Sequence, residues 1–236
     1  MKTETNFVKR GACMYEELKN GALFDLSHSL AGAALTQCEY PWEILDQIGS
    51  LIMTLGQTLP EDEYKKQGEN VWIHKTTVLY PNVYLAGPAI IGPRTEVRPG
   101  AFVRGNALVG ADCVVGNSTE LKNVILFDHV QVPHYNYVGD SVLGYHSHMG
   151  AGAITSNVKQ DNTHVTIRFQ GSIIDTGRRK FGAILGDFAE IGCNSVLNPG
   201  SVIGQGSRVY PLSMVRGVVP AGHIYKTAGE IVEKHA

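Results

Sequence analysis

The chain has 236 residues, enough for one ordinary domain or for a solenoid with a small appended piece. Twenty Lys and Arg against 22 Asp and Glu give a formal net charge of -2, which excludes the broad basic field that holds nucleic acid or anionic membrane, so any anion site must be local. No run of about eighteen apolar residues occurs and the opening Met1-Lys2-Thr3-Glu4 has no signal-peptide character, so a cytoplasmic protein without membrane or nucleic-acid partners is expected.

In chain order, residues 1–66 lack any repeat and are expected to form an N-terminal helical cap and connector. Pro41-Trp42-Glu43 followed by Ile44, Leu45, Ile48, Ile52 and Leu55, then Gly56, reads as a helix with proline early and glycine at its end. The expectation is a cap packed on the first coil, joined by Leu59-Pro60-Glu61-Asp62-Glu63. The cysteines Cys13, Cys38, Cys113 and Cys193 form no CxxC pair and suit reduced thiols.

From Ile73 the pattern changes. Aliphatic residues recur every sixth position at Ile73, Leu79, Leu85, Ile91, Val97, Val103, Val109, Val115 and Leu121, and again at Leu185, Ile191, Leu197, Ile203, Val209 and Val215. Glycine often follows, as in Ile91-Gly92, Val109-Gly110 and Ile203-Gly204, and the 27 glycines lie well above the roughly 7% of average usage. Neither a 3.6 period nor simple alternation explains this spacing, whereas a triangular coil with three hexapeptides per turn does. The expected fold is an all-β solenoid, a parallel β-helix of hexapeptide repeats over residues 67–226, with a C-terminal tail at 227–236. The phase slips between Leu121 and Ile125 and blurs from about Ser156 to Lys180, which marks where a loop leaves the prism and where sites concentrate.

Three stretches carry chemistry: Glu120-Leu121-Lys122-Asn123, Pro133-His134-Tyr135-Asn136-Tyr137-Val138-Gly139-Asp140, and Met149-Gly150-Ala151-Gly152-Ala153-Ile154-Thr155-Ser156-Asn157. They resemble the acetyltransferase half of the bifunctional glucosamine-1-phosphate acetyltransferase/N-acetylglucosamine-1-phosphate uridyltransferases. Thr176-Gly177-Arg178-Arg179-Lys180-Phe181-Gly182-Ala183 resembles the archaeal sugar-1-phosphate nucleotidylyltransferases that also acetylate amino-sugar phosphates. The resemblance covers about residues 71–226. It implies left-handed coiling, against the usual right-handed crossover rule, a homotrimer with sites between neighbouring prisms, acetyl-CoA as co-substrate and an amino-sugar 1-phosphate, glucosamine- or galactosamine-like, as acceptor.

By the same resemblance His134 is the general base, a role suited to an imidazole that titrates near neutrality, and Glu120 orients it. Arg98, in Val97-Arg98-Pro99-Gly100, and Lys122 hold the acceptor, and Tyr137 contacts the sugar. Ala151, Asn157, Cys193 and Lys226 fall at cofactor-binding positions. From spacing alone Glu120, Arg98 and Lys122 are equally ordinary surface charges, and Ala151 equally a small residue for tight stacking. The basic run Arg178-Arg179-Lys180 is expected to meet a phosphate, with Arg179 as the test residue.

Departures from the family pattern stand at His148, where a sugar-binding asparagine is expected, at Val158 for a tyrosine, and at Cys193 and Pro211 for a serine and an alanine. Of these, His148, Val158 and Pro211 favour the alternative, a non-catalytic sugar-nucleotide-binding or regulatory trimer. The spacing of His134, His146 and His148 does not match the zinc carbonic anhydrases of this fold, so no metal is expected. No Gly-x-Gly-Thr loop precedes the repeats and about seventy residues cannot hold a Rossmann-like domain, so uridylyl transfer is not expected of this stretch.

Overall fold

A computed structural model describes residues 15–234. The repeats form a left-handed parallel β-helix. Its first face begins at Val71–His74 and climbs through Ala89–Ile91 and Ala107–Val109 to Val218–Val219. The second face runs from Val78–Leu79 through Val114–Asn117 and Gln131–His134 to His223–Thr227. The third runs from Tyr84–Leu85 through Phe102–Val103 to Met214–Val215. Neighbouring rungs pair in parallel, Val71 with Ala89 and Ala89 with Ala107, so one turn takes eighteen residues. The sixth-position aliphatics point inward, and Ile73, Ile91, Val97, Val103, Val109, Val115 and Leu121 are all fully buried.

The phase slip has a structural form. After Leu121 the next inward residue is Leu126, which pairs with Val109, while Ile125 pairs with Leu108 and faces outward. The step is five residues, and it recurs from Val138 to Leu143. One corner residue is missing on each of these turns, so single strands, Glu120–Leu126 and Tyr137–Leu143, run unbroken around the edge between the third and first faces. Asn123 and Asp140 make the bend with φ of 56° and 48°, left-handed values that Asn and Asp tolerate better than most side chains.

The cap differs from its expectation. The Pro41 to Gly56 segment is a 3-10 helix, Pro41–Asp46, followed by an α-helix, Ile48–Gly56, and together they lie along several rungs of the first face, reaching beyond the first coil. The reason is in the rungs. Outward residues of the first face, Ile90, Leu108, Ile125, Val142 and Ile184, are as buried as the inward ones, and a strand apolar on both sides needs a cover. Ile48, Ile52 and Gly56 supply it at four-residue spacing. A Cβ on Gly56 would sit 2.5 Å from the Trp72 ring, so only glycine allows that approach. The blurred segment leaves the prism as an antiparallel hairpin, Thr166–Phe169 with Ser172–Asp175, and covers the last rungs of the same face, where a Cβ on Gly200 would lie 2.7 Å from Val165. The tail adds the strand Glu230–Glu233, antiparallel to His223–Thr227. Cys13 lies outside the described residues; Cys38, Cys113 and Cys193 are free thiols. No helix among the described residues is long and apolar enough to cross a membrane.

Candidate functional site

Two edges of the prism carry the polar residues. Along the edge between the second and third faces, corner hydrogen bonds climb one turn at a time: Tyr135 N–H to Asn117 O, Gly152 N–H to His134 O, Asn194 N–H to Ala151 O and Leu212 N–H to Cys193 O. His134, Ala151 and Cys193 therefore occupy the same corner position on successive turns, about 4.8 Å apart as strand neighbours are. The His134 imidazole is exposed and has no hydrogen-bond partner among the described residues, while its backbone N–H is fixed by Asn136 Oδ1 at 3.1 Å. Asn136 is itself locked, donating to Gly150 O and Ala153 O at 2.8 and 3.0 Å. The result is an unencumbered imidazole on a rigid corner. Beside it, the His148 ring on the second face is half-buried, and burial, then the nearby His134, lowers its pKa against a raising effect of Glu190.

At the edge between the third and first faces, the missing corner residues gather a second cluster. Asp140, almost fully buried, accepts from Asn123 Nδ2 at 2.9 Å, from Lys122 Nζ at 3.3 Å and from Asn157 Nδ2. Asn157 also donates to the Tyr137 hydroxyl at 3.2 Å. Gly139 makes room, since a Cβ there would lie 2.5 Å from that hydroxyl. Burial foremost, then the charges of Asp140 and Glu120, raises the Tyr137 pKa, keeping the phenol a neutral donor. A cavity of about 360 Å³ opens on this edge, lined by Leu45, Asp46, Gly87, Arg104, Gly105, Asn106, Lys122, Asn123 and Asp140.

The structure thus unites Lys122, Tyr137 and Asn157, and separately His134, Ala151 and Cys193, with the outward row Glu120 and Tyr137 on the third face between them. Asn157 joins the Lys122 cluster and not the His134 corner. Glu120 does not touch His134: its carboxylate accepts from Arg104 Nη1 at 2.7 Å. Arg98 belongs elsewhere, forked onto Glu96 on the second face at 3.1 and 3.0 Å. Arg104 is the arginine one turn below Lys122, and sequence reasoning missed it. The eighteen-residue turn was the signal that finds it, because 122 less one turn is 104. Of the basic run, Arg178 reaches back to the cap while Arg179 and Lys180 are exposed and do not line the cavity. Lys226 lies on the last turn of the second face, paired with Glu230 at 3.1 Å.

Comparison with known proteins follows the same lines. The family model described as the GMPPB C-terminal domain matches residues 85–177. The "Bifunctional sugar-1-phosphate nucleotidylyltransferase/acetyltransferase" of Sulfurisphaera tokodaii is 31% identical over 190 residues, covering 79% of this chain and 47% of that protein. The "Bifunctional protein GlmU" of Methanococcus maripaludis (strain S2) is 32% identical over 200 residues, covering 83% and 48%. The chain spans about half the length of these curated relatives. Among solved structures, AntD, an N-acyltransferase from Bacillus cereus in complex with dTDP and 3-hydroxybutyryl-CoA, aligns with a TM-score of 0.39 and 18% identity over 76% of this chain and 88% of that one. The chain, a hexapeptide-repeat β-helix, is a relative of the bifunctional sugar-1-phosphate nucleotidylyltransferase/acetyltransferases and of the GlmU proteins.

Proposed function

We propose that the chain is an acetyl-CoA-dependent N-acetyltransferase acting on an amino-sugar 1-phosphate, glucosamine-1-phosphate or galactosamine-1-phosphate. The observation that carries the reading is the placement of one free imidazole, His134, on a corner column whose next turns bear only Ala151 and the small Cys193, leaving a shallow track for an extended thioester along the edge. Across the third face stand two cations on adjacent turns, Arg104 and Lys122, with Tyr137 between the two edges. An Arg fork beside a Lys suits a phosphate, and a tyrosine suits a sugar ring.

In this reaction the acceptor amine attacks the thioester carbonyl carbon. His134 takes the proton released from nitrogen, the tetrahedral intermediate collapses with loss of the sulfur, and the imidazolium returns the proton to the departing CoA thiolate. Arg104 and Lys122 hold the phosphate and thereby fix the amine, which contributes through proximity. Glu120 acts on Arg104, aiming its guanidinium. Ala151, Cys193 and Lys226 lie along the cofactor's side of the prism, and His148 stands beside the base. The relatives named for nucleotidylyl transfer and acetyl transfer support the class of reaction. A thiol-release assay with acetyl-CoA and each amino-sugar phosphate tests it: turnover that falls about 10²–10⁴-fold in His134→Ala is expected, and a folded protein with no turnover on either sugar ends the proposal.

A further inference from the structure

The cavity at the third-to-first edge has a wall the prism does not make. Its floor is bare because the two lower turns contribute Gly87 and Gly105, and a Cβ on Gly105 would lie 2.6 Å from Gly87 O. Its cations are Arg104 and Lys122, and its far side is Leu45 and Asp46 from the cap. That cap segment is pinned to the site. Asn123 Nδ2 donates to Leu45 O at 3.0 Å, and Arg178 Nη2, reaching in from the hairpin excursion, donates to Glu43 O at 2.9 Å. Arg178 Nη1 makes an ion pair with Asp46 without hydrogen-bond geometry, and its Nε has no partner among the described residues although it is buried. The Arg178 side chain is 13% exposed and the Asp46 carboxylate 81%, so a buried cation holds a carboxylate at the cavity mouth.

We infer that Asp46 is a specificity-determining residue of the acceptor site, accepting hydrogen bonds from the sugar hydroxyls while Arg104 and Lys122 hold the phosphate, with Arg178 as its positioning residue. This rests on the amino-sugar-phosphate reading. The chemistry selects that occupant. Asp46 lines the same cavity as two cations, and a carboxylate there repels a bare phosphate on its own side, while its two acceptor oxygens suit paired hydroxyls of a ring whose anionic end is held by Arg104 and Lys122. The cavity of about 360 Å³ is in the range of small-molecule sites and is roomy for phosphate alone. The cap thereby sets which sugar the prism accepts.

The test compares wild type with Asp46→Asn, Asp46→Leu, Arg178→Met and Arg178→Lys. Michaelis constants are measured for glucosamine-1-phosphate, galactosamine-1-phosphate and acetyl-CoA, and calorimetry follows binding of glucosamine-1-phosphate and of inorganic phosphate. Loss of a hydrogen-bonded charged group is expected to raise the acceptor KM about tenfold in Asp46→Leu, to change the ratio between the two sugars, and to leave the acetyl-CoA KM unaltered. Arg178→Met should act in the same direction and Arg178→Lys should recover part of the loss. Calorimetry should show weaker sugar-phosphate binding with inorganic phosphate unaffected. An unchanged acceptor KM and sugar ratio in folded Asp46→Leu overturns the inference and leaves the transferase reading standing. If wild type transfers nothing, that reading fails, and calorimetry decides the wall alone: weakened glucosamine-1-phosphate binding in Asp46→Leu upholds it, and equal or absent binding overturns it.

Discussion

The residues of the site differ in what holds them, and this sorts their expected behaviour. Asp140 is buried with three donors converging on it, so removing its carboxylate strands the Asn123, Asn157 and Lys122 groups together. Asp140→Ala is expected to cost about 2–3 kcal/mol in urea unfolding, beyond any loss of turnover. The thiols separate in the same way. Cys193 is exposed on the His134 column, Cys38 is half-buried with its pKa raised by burial, and burial pushes Cys113 up to about 12. Among the three described thiols, a reagent at pH 8 should label Cys193 first and leave Cys113 untouched until the protein unfolds, and bound acetyl-CoA should slow Cys193 if the cofactor follows that edge. Histidine titration gives a third outcome. Burial foremost lowers the pKa of both His146 and His148 below the ordinary 6.5, so the unfolded chain binds the proton more readily than the folded one. Stability is then full above about pH 6.5 and is lost as the pH falls from there through the folded values. A melting temperature that drops between pH 7.5 and 5.5, and drops less in His148→Gln, is the expected result; a flat profile contradicts it.

At the scale of elements, the hexapeptide period made the prism legible because most inward positions are aliphatic and stack on the turn below, with Met149, Thr155 and Tyr225 as departures. The irregularities were legible only as breaks. A phase slip after Leu121 says that a corner is short, yet only the pairing of Leu126 with Val109 shows which residue then turns inward. Arg98 drew attention through its Arg-Pro-Gly setting, whereas the spacing of one full turn that singles out Arg104 required the eighteen-residue pitch to be applied to Lys122. The cap's position was also written in the strands. Ile90, Leu108, Ile125, Val142 and Ile184 immediately precede inward aliphatics, and outward apolar residues on one face of three call for a cover along that face. Nothing in the cap's own short helices could say this, since a helix pattern shows a buried stripe but not its partner. The cover is correspondingly strong: Ile52 is fully buried, and Ile52→Ala is expected to cost about 2–5 kcal/mol.

For the molecule as a whole, the two outer faces pose the question that the cap answers for the first. With the first face covered by cap and hairpin, large apolar side chains remain on the third face and its edge: Tyr84 at 58%, Phe102 at 40%, Met214 at 60% and Leu212 at 80% exposed. Tyr84 and Phe102 sit on adjacent rungs with ring centroids 5.2 Å apart, so they form a stripe and not scattered contacts. Such a pair marks an interaction surface, and it borders the Arg104 to Lys122 cluster, the Arg104 guanidinium lying 5.9 Å from the Phe102 ring centroid. A second prism set against it would close the open side of the site and bring its own edge to the acceptor, which a cyclic assembly repeats identically around the axis. We expect light scattering to give the mass of three chains. Leu212→Glu combined with Met214→Glu, which leaves the prism interior and both polar clusters untouched, should yield single chains with the folded circular dichroism spectrum but without acetyl transfer. A wild-type monomer that turns over would instead mean that one prism suffices, with His134 and Lys122 serving the acceptor from the same chain.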